Sequence, residues 1–266
     1  MCELLAMSAR FPTTVQLSMN ELAAHGGRTG PHRDGWGVGF VEGGDAFLLR
    51  EPGAASDSHW LTFLQGHSLR SELVLAHVRL ATQGERLLRN SQPFARELGG
   101  RIHLFAHNGM LPGIEDDELL TTRRFHRVGD TDSEQAFCAL LERLAPRCEG
   151  GLPDLEDRLA EVAAFARDLR RLGPANFVYS DADAIFAHAH RRRHDGGTIR
   201  APGLHLLCRR CVAADDGVQL AGISSSDGPL QDVALVASVP LSGERWEPLP
   251  EGSVVALRAG RVAGIR

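Results

Sequence analysis

The strongest constraint on this 266-residue chain is the order of its apolar patterns: short strand-like runs, one helical middle, then strand-like runs again. The first block holds CELLAMSA at the start, WGVGFVEG and AFLLRE around the glycines of 43–44, LVLAHVRLA at 73–81, and IHLFAHNG at 102–109. Two helices stand out in the middle. TDSEQAFCALLERLA (131–145) offers Thr131 or Asp132 as a cap, with Glu134 or Gln135 three residues on. DLEDRLAEVAAFARDLRRLG (154–173) is acidic early and arginine-rich late, with Gly173 as its stop. The strand-like runs NFVYS, AIFAHAH, LHLLCRRC, VQLAGISS, DVALVAS and SVVALRAGRV then follow. Strands and helices in blocks, without strand–helix alternation, favour antiparallel sheets with helices packed on them. No Pro- or Ser-rich linker and no internal repeat interrupts the chain, so one α+β domain over residues 1–266 is expected. Residues 36–50 read as a hairpin that turns at Gly-Gly-Asp.

Composition removes several function classes. A net charge of −5 gives no footprint for nucleic acid, and the local clusters RRRH (191–194) and RR (123–124) read as solvated faces. The chain contains no lysine, which excludes Schiff-base enzymes, Ser-Lys hydrolases and nucleotide hydrolases that need GK[ST]. MCELLAMSARF lacks the basic and apolar regions of a secretory signal. No apolar run approaches the roughly 18 residues of a membrane span. Five cysteines, an odd number, argue against a disulfide framework, and a cytoplasmic protein without a cofactor is expected.

Several short segments carry possible chemistry. Cys2 stands directly behind Met1; loss of Met1 leaves a thiol and a free α-amine on one residue, a nucleophile beside its own base. The alternative is a buried structural cysteine on a first strand. In HVRLATQG (77–84), Arg79 at a strand end suits bidentate capture of a carboxylate, or a structural ion pair. In FAHNGML (105–111), Asn108 and Gly109 form the usual signal of a tight turn. The same pair can aim a side-chain amide and a backbone N–H at a developing oxyanion. In GDTDSEQAF (129–137), Asp132 is either a helix cap or the partner of a substrate ammonium. GGRTGPHRDGWGVGF (26–40) lacks phosphate-binding spacing, and Gly35, Gly37 and Gly39 instead permit close backbone approach. CRRC (208–211) beside His205, and His188 with His190 in AHAH, have the spacing of metal ligands. No second paired motif accompanies them, so strand cysteines and structural histidines are expected, and no metal.

The order of these segments is more specific than any one of them. MC at the start, DGWG, HVRLATQG, NSQPF, HNG and TDSE form a series that resembles the class II glutamine amidotransferases, which are N-terminal-nucleophile hydrolases. MCELLAMSA, GGRTGPHRDGWGVGF and AHNGML look like the stand-alone YafJ-like branch of that family. The resemblance is dense over residues 1–140 and continues through LVASVPL, WEPLPEGS and VVALRAGRV. It implies a four-layer αββα sandwich, two antiparallel sheets face to face between helical layers. It also implies that Cys2, freed of Met1, attacks the γ-amide of glutamine, with its α-amine as base and then as acid to the leaving ammonia. Asn108 and Gly109 would form the oxyanion hole. Arg79 would hold the α-carboxylate and Asp132 the α-ammonium, while Thr82 and Gly84 would flank the pocket. Two departures stand out. Many members have His where this chain has Gln83. Larger members also carry a synthase domain that consumes the ammonia, so a separate synthase subunit, or a γ-glutamyl amide other than glutamine, is the implied partner or substrate. A glutamine-binding or regulatory subunit without catalysis is the competing reading, and the intact Cys2, Asn108 and Asp132 argue against it.

Overall fold

Alternation along the strands decides the layering. The computed structural model describes residues 1–67, 69–194, 196–212 and 230–266. Its first strand, β1 (Glu3–Thr13), sends Leu4 and Ala6 to one face and Leu5, Met7 and Ala9 to the other, and all five are buried. A strand buried on both faces belongs in the middle of a layered structure. The remaining strands of the first block are β2 (Trp36–Glu42), β3 (Asp45–Glu51), β4 (Ser71–Val78), β5 (Phe94–Leu98) and β6 (Arg101–Gly109). After the helical middle come β7 (Ala175–Ser180), β8 (Ile185–His188), β9 (Arg192–Arg193) and β10 (Ile199–Arg200). The last are β11 (His205–Val212), β12 (Leu230–Ala237), β13 (Glu247–Pro248), β14 (Val254–Arg258) and β15 (Arg261–Ile265).

One sheet runs β13-β11-β12-β1-β4-β2-β3 and the other β15-β14-β8-β7-β6-β5, while β9 and β10 form a separate ribbon. Every recorded pairing is antiparallel. Leu4, Ala6, Leu75, Leu104, Ala106, Val178 and Val236 fill the space between the sheets. The opposite face of the first sheet packs Leu5, Met7 and Val74 against Leu22 of α1 (Gln16–His25) and Leu61 of α2 (His59–Gly66). The opposite face of the second packs Phe105, Phe177 and Phe186 against Phe137 of α3 (Asp132–Cys148) and Phe165 of α4 (Leu155–Leu169). Each such side chain contributes about 1.5–3 kcal/mol on burial. Helix, sheet, sheet and helix make the four-layer αββα sandwich that the family resemblance implied.

The differences in detail have local causes. α1 and α2 are additional to the two helices expected, and α1 has no acidic residue in its first turn and no side-chain cap bond to announce it. α4 ends at Leu169, and the chain leaves it through the Arg170 N–H to Ala166 carbonyl bond, ahead of Gly173. The 36–50 hairpin turns on Gly43 and Gly44 alone, at φ 59° and 90°, with Glu42 paired to Asp45. Two consecutive positive φ values are what a type I′ two-residue hairpin turn demands. The strand expected at VQLAGISS (218–225) lies outside the described residues.

Candidate active site

Parity brings the proposed residues to one end of the inter-sheet layer. Cys2 precedes β1 in phase with Leu4 and Ala6, Arg79 follows β4 in phase with Leu73 and Leu75, and Asn108 ends β6 in phase with Leu104 and Ala106. Glu3 pairs with Val78, which puts the start of β1 beside the exit of β4. The Cys2 thiol is half-buried; it accepts from the Leu80 N–H at 3.4 Å and lies 3.5 Å from the Leu80 carbonyl oxygen, to which it donates. Burial pushes this thiol above the usual cysteine range, while the Leu80 contact, the Met1 α-ammonium and Arg79 pull the other way. Asp132 is also close enough to raise it, so the acid at the start of α3 and the thiol share one electrostatic neighbourhood. Burial in turn lowers the proton affinity of the Met1 α-amine; the neighbouring Cys2 opposes this, and Arg193 and Arg192 add to it. His32 Nε2 donates to the Met1 carbonyl at 2.8 Å, which fixes the Met1–Cys2 peptide.

Arg79 is 3% exposed, and backbone carbonyls surround its guanidinium. Its guanidinium donates to the carbonyls of Asp34 (3.1 Å), Glu85 (3.1 Å), Gln83 (2.7 Å) and Gly84 (3.1 Å). Three of these bonds hold the loop after β4, and the fourth ties Arg79 to Asp34 in the segment that enters β2. Gly84 takes φ +74° within this loop, and Thr82 is exposed on it. Asp34 grips the same loop from the other side, with a carboxylate that accepts from the Ala81 N–H at 2.7 Å and pairs with Arg86. Asn90 closes it, donating to the Glu85 carbonyl at 3.0 Å and accepting from the Asp130 N–H at 3.1 Å.

Asn108 and Gly109 are not a turn. They are the last residues of β6, in register with Asn176 and Ala175 of β7. A Cβ on Gly109 would sit 1.9 Å from the Pro174 carbonyl oxygen, so close backbone approach, rather than a left-handed conformation, requires glycine here. Asn108 is buried; its Nδ2 lies 3.5 Å from Ser238 Oγ, and its Oδ1 has no partner among the described residues. Gln92, from the NSQPF segment, accepts from the His107 N–H at 2.6 Å and so anchors β6. His77 points into the inter-sheet space, where burial and then Arg79 lower its pKa to about 3, leaving it neutral.

Asp132 is not the cap of α3. Thr131 is, accepting from the Glu134 N–H at 3.3 Å, and Glu134 reaches back to the Gly129 N–H at 2.7 Å. The Asp132 carboxylate instead accepts from the Leu111 N–H at 2.8 Å and the Ser133 N–H at 2.7 Å, tying the segment after Gly109 to the helix. Ser133 Oγ in turn lies 2.9 Å from His107 Nδ1.

Asp34, His32, Gln92 and Ser238 are the parts that motif reading missed. Asp34 and Gln92 stand inside DGWG and NSQPF, where spacing alone assigns no role. Ser238 carried no local signal, because its partners Leu4 and Asn108 are distant in sequence. The metal-like motifs stand apart from this site. His188 Nδ1 donates to the Ser253 carbonyl at 2.9 Å, Cys208 is an exposed residue of β11, and the side chain of Cys211 lies outside the described residues. Among the described residues no group of three or more His, Cys, Asp or Glu could hold a metal ion. No helix is long and apolar enough to cross a membrane among the described residues.

The family model for class-II glutamine amidotransferases matches residues 1–266. YafJ of Escherichia coli (strain K12), named a candidate glutamine amidotransferase, is 38% identical over 254 residues, which cover 95% of each chain. The crystal structure of a predicted glutamine amidotransferase from Pseudomonas aeruginosa PA01 superimposes with a TM-score of 0.70 at 31% identity, covering 99% of this chain and 100% of that one. Glutamine phosphoribosylpyrophosphate amidotransferase from B. subtilis shares the fold, with a TM-score of 0.57 at 14% identity, and this chain matches 48% of its length. The chain belongs to the class II glutamine amidotransferases.

Proposed function

We propose that this protein is an amidohydrolase of the glutamine amidotransferase type, acting as one domain over residues 1–266 in the cytoplasm. After loss of Met1, the Cys2 thiol attacks the γ-carbonyl of glutamine while its α-amine takes the thiol proton. The amine then returns that proton to the departing nitrogen, so ammonia leaves and a γ-glutamyl thioester remains. Water cleaves the thioester to give glutamate and the free thiol. An α-amine, ordinarily near pKa 7.7–8.0, is suited to this shuttle at neutral pH. Asn108 and Gly109 stabilise the oxyanion, and Arg79 and Asp132 face the α-carboxylate and α-ammonium of the glutamyl group. Arg79 does so as a buried charge whose Nε–H is not engaged by the loop carbonyls. Thr82 and Gly84 flank the pocket on the loop that Arg79 holds.

The observation that supports this reading is that Cys2 before β1, Arg79 after β4 and Asn108 at the end of β6 lie at one end of the inter-sheet layer, with Asp132 at the start of α3 in the electrostatic neighbourhood of the Cys2 thiol. A related enzyme that joins this fold to a further half-chain supports a separate ammonia-accepting synthase subunit as partner. A second substrate class is a γ-glutamyl amide other than glutamine. Release of glutamate from glutamine, and from γ-glutamyl amides of neutral and anionic amines, tests both. Hydrolysis by the wild-type chain that disappears in Cys2→Ala is expected, and equal rates for the two proteins would overturn the reading.

A further inference from the structure

Where β12 ends, Ser238 continues the ladder against β1 in an unusual way. Its N–H donates to the Leu4 carbonyl at 3.0 Å, and its own hydroxyl oxygen serves as acceptor for the Leu4 N–H at 3.0 Å. Its carbonyl accepts from Arg192 at 2.5 Å, so the residue is fixed from three sides. The same Oγ faces the Asn108 carboxamide. A hydroxyl has one proton and two lone pairs, and a carboxamide has an acceptor end and a donor end. With Asn108 Nδ2 toward Ser238, at 3.5 Å, the oxygen receives two donors and its proton has no acceptor among the described residues. Asn108 Oδ1 is then a buried acceptor without a partner among them.

Half a turn of the carboxamide about its Cβ–Cγ bond resolves both faults at once. Oδ1 accepts the Ser238 hydroxyl proton, Oγ keeps the Leu4 N–H, and the Asn108 NH2 group takes the place that Oδ1 held. A buried donor without an acceptor among the described residues then stands at the end of the inter-sheet layer that Asn108 shares with Cys2. We propose that Ser238 is a positioning residue that sets this orientation of Asn108, and that γ-amide hydrolysis runs through it. The proposal rests on the oxyanion role of Asn108 given above. It assigns to Ser238 no contact with substrate; the hydroxyl acts by holding the acceptor end of Asn108 away from the developing negative charge.

The test is a double-mutant cycle on glutamine hydrolysis with Ser238→Ala, Asn108→Ala and both together. Ser238→Ala is expected to lower kcat about 10- to 100-fold, within the range of a lost oxyanion donor, with KM within about twofold of wild type. Adding Ser238→Ala to Asn108→Ala is expected to change nothing further, because its effect passes through Asn108. Ser238→Thr, which keeps the hydroxyl, is expected to retain activity, and thermal melts of each variant check folding. An active wild type whose Ser238→Ala variant keeps its kcat, or whose two substitutions multiply, overturns the proposal alone. A wild type indifferent to Asn108→Ala overturns the oxyanion reading first, and the proposal with it.

Discussion

Glycine at two positions does two different jobs, and the difference is measurable. Gly43 holds φ 59° with nothing within 4 Å of where a Cβ would stand, so Gly43→Ala meets only the backbone penalty of the left-handed region, about 1 kcal/mol. Gly109 has ordinary strand geometry, but its added Cβ would collide with the Pro174 carbonyl and spread β6 from the β7 entry; Gly109→Ala is expected to cost about 3 kcal/mol. Urea unfolding of the two variants reads this ranking, and equal losses would contradict it. Arg79 makes a related point about side chains. Lysine keeps the charge but has only three donors on one atom, against four carbonyls bound by a planar fork. Arg79→Lys is therefore expected to loosen the 83–85 loop and raise KM for glutamine at least about tenfold, since the pair of geometries is not interchangeable. The identity of Arg79 was legible in HVRLATQG, but its four backbone partners were not, because they depend on how the loop folds back.

Among the elements, α3 was readable and α1 was not. TDSE carries its own start signal, and the Thr131–Glu134 bond realises it, although Glu134 turns to Gly129 in place of the cap residue's own N–H. α1 is held by its neighbours instead, through an ion pair between His25 of its last turn and Glu3 of β1 at 2.7 Å. The Glu3 bond raises the pKa of His25. Burial, the largest influence on Glu3, pushes its pKa up, but the bond to His25 and the charges of His32, His25 and Arg192 outweigh it, and the net shift is down. A raised histidine stabilises fully below its unfolded value of 6.5 and loses that contribution as pH rises through its folded value. A lowered glutamate stabilises fully above its unfolded value of 4.5 and loses that contribution as pH falls through its folded value. The melting-temperature deficit of His25→Gln relative to wild type is thus expected to be greatest between pH 4.5 and 6.5 and to shrink on either side. A deficit that does not vary with pH would show that the pair contributes packing alone.

At the scale of the whole molecule, two sheets buried on both faces leave little room for charge. His188 and His77 are driven by burial to pKa values of about 3, so both stay neutral in the folded chain while the unfolded chain protonates them below about 6.5. Unfolding then takes up protons, and stability falls as pH drops from 6.5 toward 3. Melting temperature should decline over that interval, and less steeply in His188→Gln; parallel curves would remove His188 from the account. This burial also explains what could be read in advance. Apolar runs such as LVLAHVRLA announced strands, but a strand buried on both faces does not say which face meets helix and which meets sheet. The four layers came from the resemblance of the whole motif series, and the strand order β13-β11-β12-β1-β4-β2-β3 from neither. The candidate site was legible as residue types at strand ends and a helix start, and the bonds from Asp34, Gln92 and Ser238 only in three dimensions. The central claim remains that Cys2, freed of Met1, is a glutamyl-specific nucleophile. Its most direct test is the intact mass of the purified protein before and after treatment with a diazo-ketone analogue of glutamine, with Cys2→Ser as control. The account predicts a starting mass without Met1 and one covalent adduct that the control lacks; retained Met1 with no adduct would contradict it.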